Sequence, residues 1–329
     1  MSKIFITRPI PEVGINLLKQ KGYEVVVNEK ARDRSASEKE IIGALQQARG
    51  KAPFDAILSV LTDKITSQVM DAGLPNLKII ANYAVGFDNI DLGAAKKRNI
   101  QVTNTPGVLT DSVAEHTFTL MLSIAHRITE ADKFSRAGKY KAWGPELLLG
   151  TDLSGKTLGV VGLGRIGSRV AHHAVKGFDM KLIYTDVKQN PEFELEFGAV
   201  FVSTIDELLP KCDFVSIHVP LLPSTHHLIN EARLKLMKPS AYLINTSRGP
   251  VIDERALALS LSKGEIGGAA IDVFEFEPEI TKDLKKLDNI ILTPHIASAT
   301  RETRDKMAIL AAENIISALS GQLPPNLVG

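Results

Sequence analysis

Two successive series of short β-branched runs alternating with helix-forming segments predict an α/β protein with two domains, each a doubly wound parallel sheet. Three observations carry that expectation. The chain has 329 residues, beyond the roughly 100 to 200 that one domain usually occupies. Several of the strand-like runs are apolar throughout, as strands covered by helices on both faces must be. Hydrophobic residues make up 44% and charged residues 23% of the chain, the usage of a globular protein that can bury a core rather than of a disordered one.

In the first series the strands are expected at Lys3–Thr7, Tyr23–Val27, Asp55–Val60, Leu77–Ala81 and Ile100–Val102. Pro11–Lys21, Ser37–Ala48, Ile65–Ala72 and Asp91–Arg98 have helical composition between them, and Asp91 stands where an N-cap belongs. The turn Asn104-Thr105-Pro106-Gly107 breaks the alternation. A single long helix over Asp111–Ile128 should follow, with Ser112-Val113-Ala114-Glu115 reading as a capping box. After a loop holding the only tryptophan, Trp143, the second series begins, with strands expected at Thr157–Val161, Lys181–Tyr184, Ala199–Val202, Phe214–Val219, Ala241–Asn245, Gly268–Ile271 and Ile290–Leu292. Arg301–Leu319 carries Met307, Leu310, Ile315 and Leu319 at helical spacing and is expected to pack back on the first domain. The divisions then fall as 1–103 with 297–329 for one domain and 104–296 for the other.

The charge sum of 39 basic and 38 acidic residues is +1, with no dense basic run, so neither nucleic acid nor an anionic membrane is an expected partner. No apolar run approaches the roughly 18 residues of a membrane span. The lone cysteine, Cys212, cannot close an intrachain disulfide, and Met1 to Thr7 reads as a strand rather than a signal segment. The expected compartment is the cytoplasm.

Gly162-Leu163-Gly164-Arg165-Ile166-Gly167 lies directly after an apolar strand and before a helical run. By itself a Gly-x-Gly-x-x-Gly run can be no more than a tight turn. Here a second strand ends at Asp186, about 20 residues beyond the fingerprint, the spacing at which an acidic residue reaches the adenosine ribose. Gly162 permits the turn, Gly164 lets backbone approach a pyrophosphate, Gly167 allows close helix packing, and the helix start at Arg165 and Ile166 offers N–H groups to phosphate. Asp186, unless it is simply a solvated strand end, favours NAD because a carboxylate would repel the 2′-phosphate of NADP.

Ligands of an open parallel sheet bind beyond the carboxyl ends of its strands. The residues just past the second-series strands include Val219-Pro220, Thr246-Ser247-Arg248-Gly249, Asp272 leading to Glu277, and Pro294-His295. Each alone is most often a loop or surface residue. Together they bring an arginine, carboxylates and a histidine to one sheet edge, with Val219, Pro220, Thr246, Ser247 and Asp272 expected along the cofactor. No His-Glu-x-x-His pattern is present among the eight histidines, so no catalytic metal is expected.

These residues resemble the D-isomer-specific 2-hydroxyacid dehydrogenase family over essentially the whole chain. The resemblance rests on the glycine fingerprint, Asn245-Thr246-Ser247-Arg248-Gly249-Pro250-Val251-Ile252-Asp253, Asp272-Val273-Phe274 with Glu277-Pro278, and Thr293-Pro294-His295. Tyr83 to Asp91, Pro106 to Asp111 and the Pro324-Pro325-Asn326-Leu327-Val328 run are most similar to its glyoxylate/hydroxypyruvate reductase branch. The family's architecture implies a flavodoxin-like substrate domain, completed by the C-terminal helix, and a Rossmann dinucleotide-binding domain. It implies reduction of a small 2-oxo acid by NADH, and the reverse, in a homodimer. Arg248 would hold the substrate carboxylate and polarise the keto oxygen, a task that suits a planar, always-charged guanidinium. His295 would be the acid/base, since imidazole exchanges protons near neutral pH, and Glu277 would orient it. Backbone N–H groups of Val85 and Gly86 would clamp the carboxylate and Leu61 would line the pocket. Trp143 would either reach a partner subunit's pocket or pack in the interface. Val113 stands where many reductases of this branch carry threonine, so no cofactor contact is expected there. An NADH-sensing binding protein, and dehydrogenases of 3-phosphoglycerate, D-lactate or formate, are the alternatives the same motifs leave open.

Overall fold

The structure, a computed structural model, describes residues 1–328. The chain forms two compact units, the first comprising Met1–Leu109 together with the segment from Ala299 onward, the second Thr110–Ser298.

In the first unit the strands are β1 (Lys3–Ile6), β2 (Glu24–Val27), β3 (Ala56–Val60), β4 (Ile79–Tyr83) and β5 (Gln101–Thr103), all parallel in the order β2-β1-β3-β4-β5. Helices α1 (Glu12–Gln20), α2 (Glu38–Ala48), α3 (Ser67–Gly73) and α4 (Leu92–Lys97) alternate with them. Ile4, Ile6, Ile57, Leu58, Ile79 and Ile80 are fully buried on both pleat faces, which explains the unbroken apolar runs. Helix starts follow their caps. Ser37 and Glu40 form a reciprocal capping box on α2, and Asp91 accepts the Ala94 N–H at 2.8 Å on α4. The strand order reverses between β1 and β3, so the loops after β3 and β4 lie at the carboxyl edge where such sheets bind ligands.

The second unit opens with α5 (Thr110–Ala125) and α6 (Ile128–Arg136). The single helix expected to Ile128 is thus two, because Arg127 turns into the left-handed region at φ 55° while its guanidinium bridges both Glu130 oxygens at 2.8 and 2.7 Å. Since α5 begins at Thr110, Ser112 to Glu115 lie inside the helix, beyond the N-cap position where they were expected. The strands are β6 (Thr157–Val161), β7 (Lys181–Thr185), β8 (Val200–Phe201), β9 (Phe214–Ile217), β10 (Tyr242–Asn245), β11 (Gly268–Ile271) and β12 (Ile290–Leu292). They form a parallel sheet ordered β12-β11-β10-β9-β6-β7-β8, reversing between β6 and β9 in the Rossmann manner. Helices α7 (Arg165–Phe178), α8 (Pro191–Phe197), α9 (Ile205–Leu208), α10 (Glu231–Leu234) and α11 (Glu254–Lys263) complete it.

The last helix, α12 (Arg301–Leu319), belongs to the first unit. Gly14 of α1 lets it approach, since a Cβ there would lie 2.6 Å from Ala308 O, and the Tyr83 hydroxyl donates to Arg304 O at 2.7 Å. The units divide slightly later than residues 103 and 296. Thr105 N–H donates to Ala84 O at 2.8 Å, which keeps the crossing segment on the first sheet, and Ala297 N–H donates to Asp272 Oδ2 at 2.8 Å, which keeps that residue on the second. No helix among the described residues is long and apolar enough to cross a membrane.

Candidate active site

The turn from β6 into α7 holds the glycine fingerprint. Gly162 sits at φ +94°, and a Cβ there would come within 2.8 Å of His218 O; one at Gly167 would meet Gly162 O at 2.0 Å. Gly164 is the N-cap of α7 and makes no side-chain cap. A Cβ at Gly164 would meet nothing within 4 Å, so backbone is open above the helix start at Arg165 and Ile166. Asp186, just past β7, accepts the Leu163 N–H at 2.5 Å and the Val187 N–H at 2.6 Å, which sets its carboxylate beside the turn. An uncapped helix N-terminus, a side-chain-free approach and an adjacent carboxylate fit a dinucleotide's pyrophosphate and ribose. Val219 and Pro220 follow β9, next to β6 in the sheet, and Thr246 Oγ1 lies 2.9 Å from Thr117 Oγ1 of α5.

Three adjacent strands, β10, β11 and β12, carry Arg248, Glu277 and His295 in the loops beyond their carboxyl ends. Asn245 organises the first loop. Its Oδ1 accepts from Ser247 N–H at 3.0 Å and Ser247 Oγ at 2.8 Å, while its Nδ2 donates to Arg248 O at 3.0 Å. Gly249 is packed so closely that a Cβ would lie 1.9 Å from the Phe274 carbonyl carbon, which joins the arginine loop to the glutamate loop. Glu277 Oε1 accepts the Phe274 N–H at 2.9 Å, and Glu277 Oε2 lies 3.0 Å from His295 Nδ1. That contact leaves His295 Nε2 for a reacting group. His295 itself is held at φ 55°, an uncommon conformation for a side chain other than glycine or asparagine.

Asp272 anchors the histidine loop. It is fully buried and accepts from Thr293 Oγ1 at 2.7 Å, Ile296 N–H at 2.9 Å and Ala297 N–H at 2.8 Å, with His116 Nε2 at 3.6 Å. Burial pushes its carboxyl up, but the donors from His116, Thr293, Ile296 and Ala297 outweigh that and hold it below the ordinary range. Sequence reasoning gives His116 and Thr293 no role at the site: Thr293 figures only as part of the Thr293-Pro294-His295 motif, and His116 only as one of eight histidines.

In the first unit, Leu61 follows β3, and Val85 and Gly86 follow β4. Buried Asp63 accepts from Ala36 N–H at 3.2 Å and Val60 N–H at 3.3 Å, and burial raises its carboxyl above the ordinary range. Asn89 Nδ2 donates to Val60 O at 3.2 Å and Asp63 O at 2.9 Å. Asn82 Nδ2 donates to Gly86 O at 2.8 Å and Asn104 Nδ2 to Val85 O at 2.7 Å. Sequence reading gives these three asparagines no role at the site, placing Asn104 only in a turn and Asn89 only within the Tyr83 to Asp91 run.

The profile described as D-isomer specific 2-hydroxyacid dehydrogenase, NAD binding domain, matches residues 118–297. The chain belongs to that family. As a D-2-hydroxyacid dehydrogenase it is an NAD-dependent oxidoreductase interconverting small 2-oxo and 2-hydroxy acids. It is 51% identical to a glyoxylate reductase of Thermofilum pendens, over 99% of this chain and 94% of that protein. Identity to a glyoxylate reductase of Thermococcus litoralis is 50%, over 99% and 96%. A crystal structure of a Thermus thermophilus protein superposes with a TM-score of 0.91 at 41% identity, over 99% of this chain and 100% of that one.

Other titratable groups of the dehydrogenase lie outside this site. His226, His227 and Glu275 place ligand-type atoms within 4.8 Å of one another. The two rings stack nearly parallel, 27° apart at 4.1 Å, so their in-plane lone pairs do not converge, and His227 Nε2 contacts Glu275 Oε1 at 2.8 Å. His172 and His173 lie within α7. Cys212 is fully buried, and burial pushes its thiol up to about 12, which leaves it unreactive.

Proposed function

We propose that this dehydrogenase reduces glyoxylate or hydroxypyruvate with NADH, the first unit binding substrate and the second the dinucleotide. The carrying observation is the contact of His295 Nδ1 with Glu277 at 3.0 Å, which makes Nδ1 the proton donor to the carboxylate and turns Nε2 to proton exchange with the substrate oxygen. The bound nicotinamide supplies the hydride or takes it back. Arg248 grips the substrate carboxylate and polarises its keto oxygen. The Val85 and Gly86 N–H groups also bind the carboxylate, and Leu61 bounds the small side chain. Gly162, Gly164, Arg165, Ile166 and Gly167 cradle the pyrophosphate, Asp186 binds the ribose and selects NAD, and Val219, Pro220, Thr246, Ser247 and Asp272 flank the nicotinamide half. The glyoxylate reductases at 50 and 51% identity support glyoxylate as a substrate. The protein acts in the cytoplasm as a homodimer; the exposed apolar Tyr140, Trp143, Leu147 and Leu149, with Trp143 79% accessible in the single chain, support a covering partner.

The test is turnover of a 2-oxo acid panel with NADH and with NADPH, alongside His295→Ala. Glyoxylate and hydroxypyruvate should lead with NADH, and the variant should lose about 100-fold or more in kcat with NADH affinity retained. NADH binding without turnover of any 2-oxo acid would support a cofactor-sensing protein instead.

A further inference from the structure

Three consecutive carbonyl oxygens after β4 are each gripped by a donor. Ala84 O accepts the Thr105 N–H at 2.8 Å, Val85 O the Asn104 Nδ2 at 2.7 Å, and Gly86 O the Asn82 Nδ2 at 2.8 Å. In a planar trans peptide the C=O and the N–H of one unit point in opposite directions. Cis bonds occur at Leu74-Pro75 and Glu277-Pro278, so these three peptides are trans. Holding the three carbonyls therefore directs the N–H groups of Val85, Gly86 and Phe87 away from the donors. Among the described residues, none of those N–H groups has a hydrogen-bond acceptor. Successive unpaired N–H groups in a loop form an anion-binding concavity.

Among the described residues, Asn104 is the one side chain that holds the Val85 carbonyl and so the Val85-Gly86 peptide, and it has no slack. Its own N–H donates to Asn326 O at 3.3 Å, its carbonyl accepts Asn314 Nδ2 at 3.1 Å, and Asn314 Oδ1 accepts Asn326 N–H at 3.2 Å. Helix α12, through Asn314, thus fixes Asn104, and Asn104 fixes the direction of the Gly86 N–H. We infer that Asn104 is a positioning residue for substrate, orienting the Gly86 N–H toward the carboxylate of the 2-oxo acid. The inference rests on the proposed carboxylate-binding role of Val85 and Gly86. Asn104 touches no substrate; it acts through the peptide it holds.

The experiment compares kcat/KM for glyoxylate with that for its primary amide, which keeps the carbonyl and lacks the charge. The wild-type enzyme should prefer the acid; no preference overturns the carboxylate clamp itself. With that preference established, Asn104→Ala should lose about tenfold or more of it, the scale of one hydrogen bond to a charged group, through KM for glyoxylate, with NADH affinity unchanged. Asn104→Ser, which keeps the main-chain bonds, is the second variant should alanine not fold. General damage to the unit would lower acid and amide turnover in equal proportion. Retention of the wild-type preference in a folded variant therefore overturns the role of Asn104 while leaving the clamp intact.

Discussion

A carboxylate without exposed surface stays ionised only where donors surround it, and Asp272 receives Thr293, Ile296 and Ala297 at 2.7 to 2.9 Å. Asp272→Asn would set an amide donor against those donors and should cost about 2 to 4 kcal/mol of stability at pH 7, read by denaturant titration. The folded carboxyl is held below its unfolded value. The unfolded state therefore binds more protons as pH falls, so the stabilisation is complete above an unfolded pKa of about 3.9 and lost as pH drops through the folded value. The gap between wild type and variant should close in that acid range; a constant gap down to full acid unfolding would remove ionised Asp272 from the account. At Arg248, lysine retains charge but not the planar fork. Arg248→Lys should cost roughly 10- to 100-fold in kcat/KM, one or two charge-assisted bonds, with NADH binding unchanged; wild-type efficiency would sink bidentate recognition. Arg248, Glu277 and His295 stand out as candidates from sequence because few residue types do the chemistry proposed for them, and the structure brings Glu277 within 3.0 Å of His295. Asn82, Asn89 and Asn104 do not stand out, because asparagine in a loop reads equally well as ordinary turn chemistry until its hydrogen bonds are known.

At the level of elements, all twelve strands were legible within a few residues, since the inner strands, buried on both faces, must be short apolar runs punctuated by turn residues, and the partly exposed edge strands β2 and β8 keep β-branched or aromatic residues. Of the two caps read from sequence, Asp91 is the N-cap of α4, whereas the box at Ser112 to Glu115 falls inside α5, which starts two residues earlier. The division of the long helix was not legible, because the left-handed Arg127 is held by Glu130 and by Leu149 O at 3.3 Å from a distant loop. Close approach of two loops is also invisible in one dimension, and Gly249 shows what it demands. An added Cβ would meet the Phe274 carbonyl carbon and oxygen at 1.9 and 2.0 Å, and neither atom can rotate away. Gly249→Ala should therefore cost about 1 to 3 kcal/mol of overpacking strain and lower kcat by spreading the Arg248 and Glu277 loops, while NADH affinity persists. Melting and steady-state kinetics check this, and an alanine variant of unchanged kcat would show that the two loops tolerate separation.

Across the whole molecule, one unit is continuous in sequence and the other is assembled from both sides of it. Ala308, Ala311, Ala312 and Ile315 of α12 are fully buried, so a chain ending at Ser298 would leave the first sheet without its covering helix. That truncation should keep NADH binding and lose glyoxylate reduction, measured by fluorescence titration and turnover; persistent reduction would show that the first unit holds without α12. The same arrangement imposes an order on the newborn chain. Strands β1 to β5 leave the ribosome first, yet the helix that closes them emerges only after the entire Thr110–Ser298 unit. At about 5 to 20 residues per second that interval lasts on the order of ten to forty seconds, during which the apolar side of β4 waits uncovered and open to chaperones. A circular permutant carrying α12 ahead of β1 would translate its cover first and shorten that exposure.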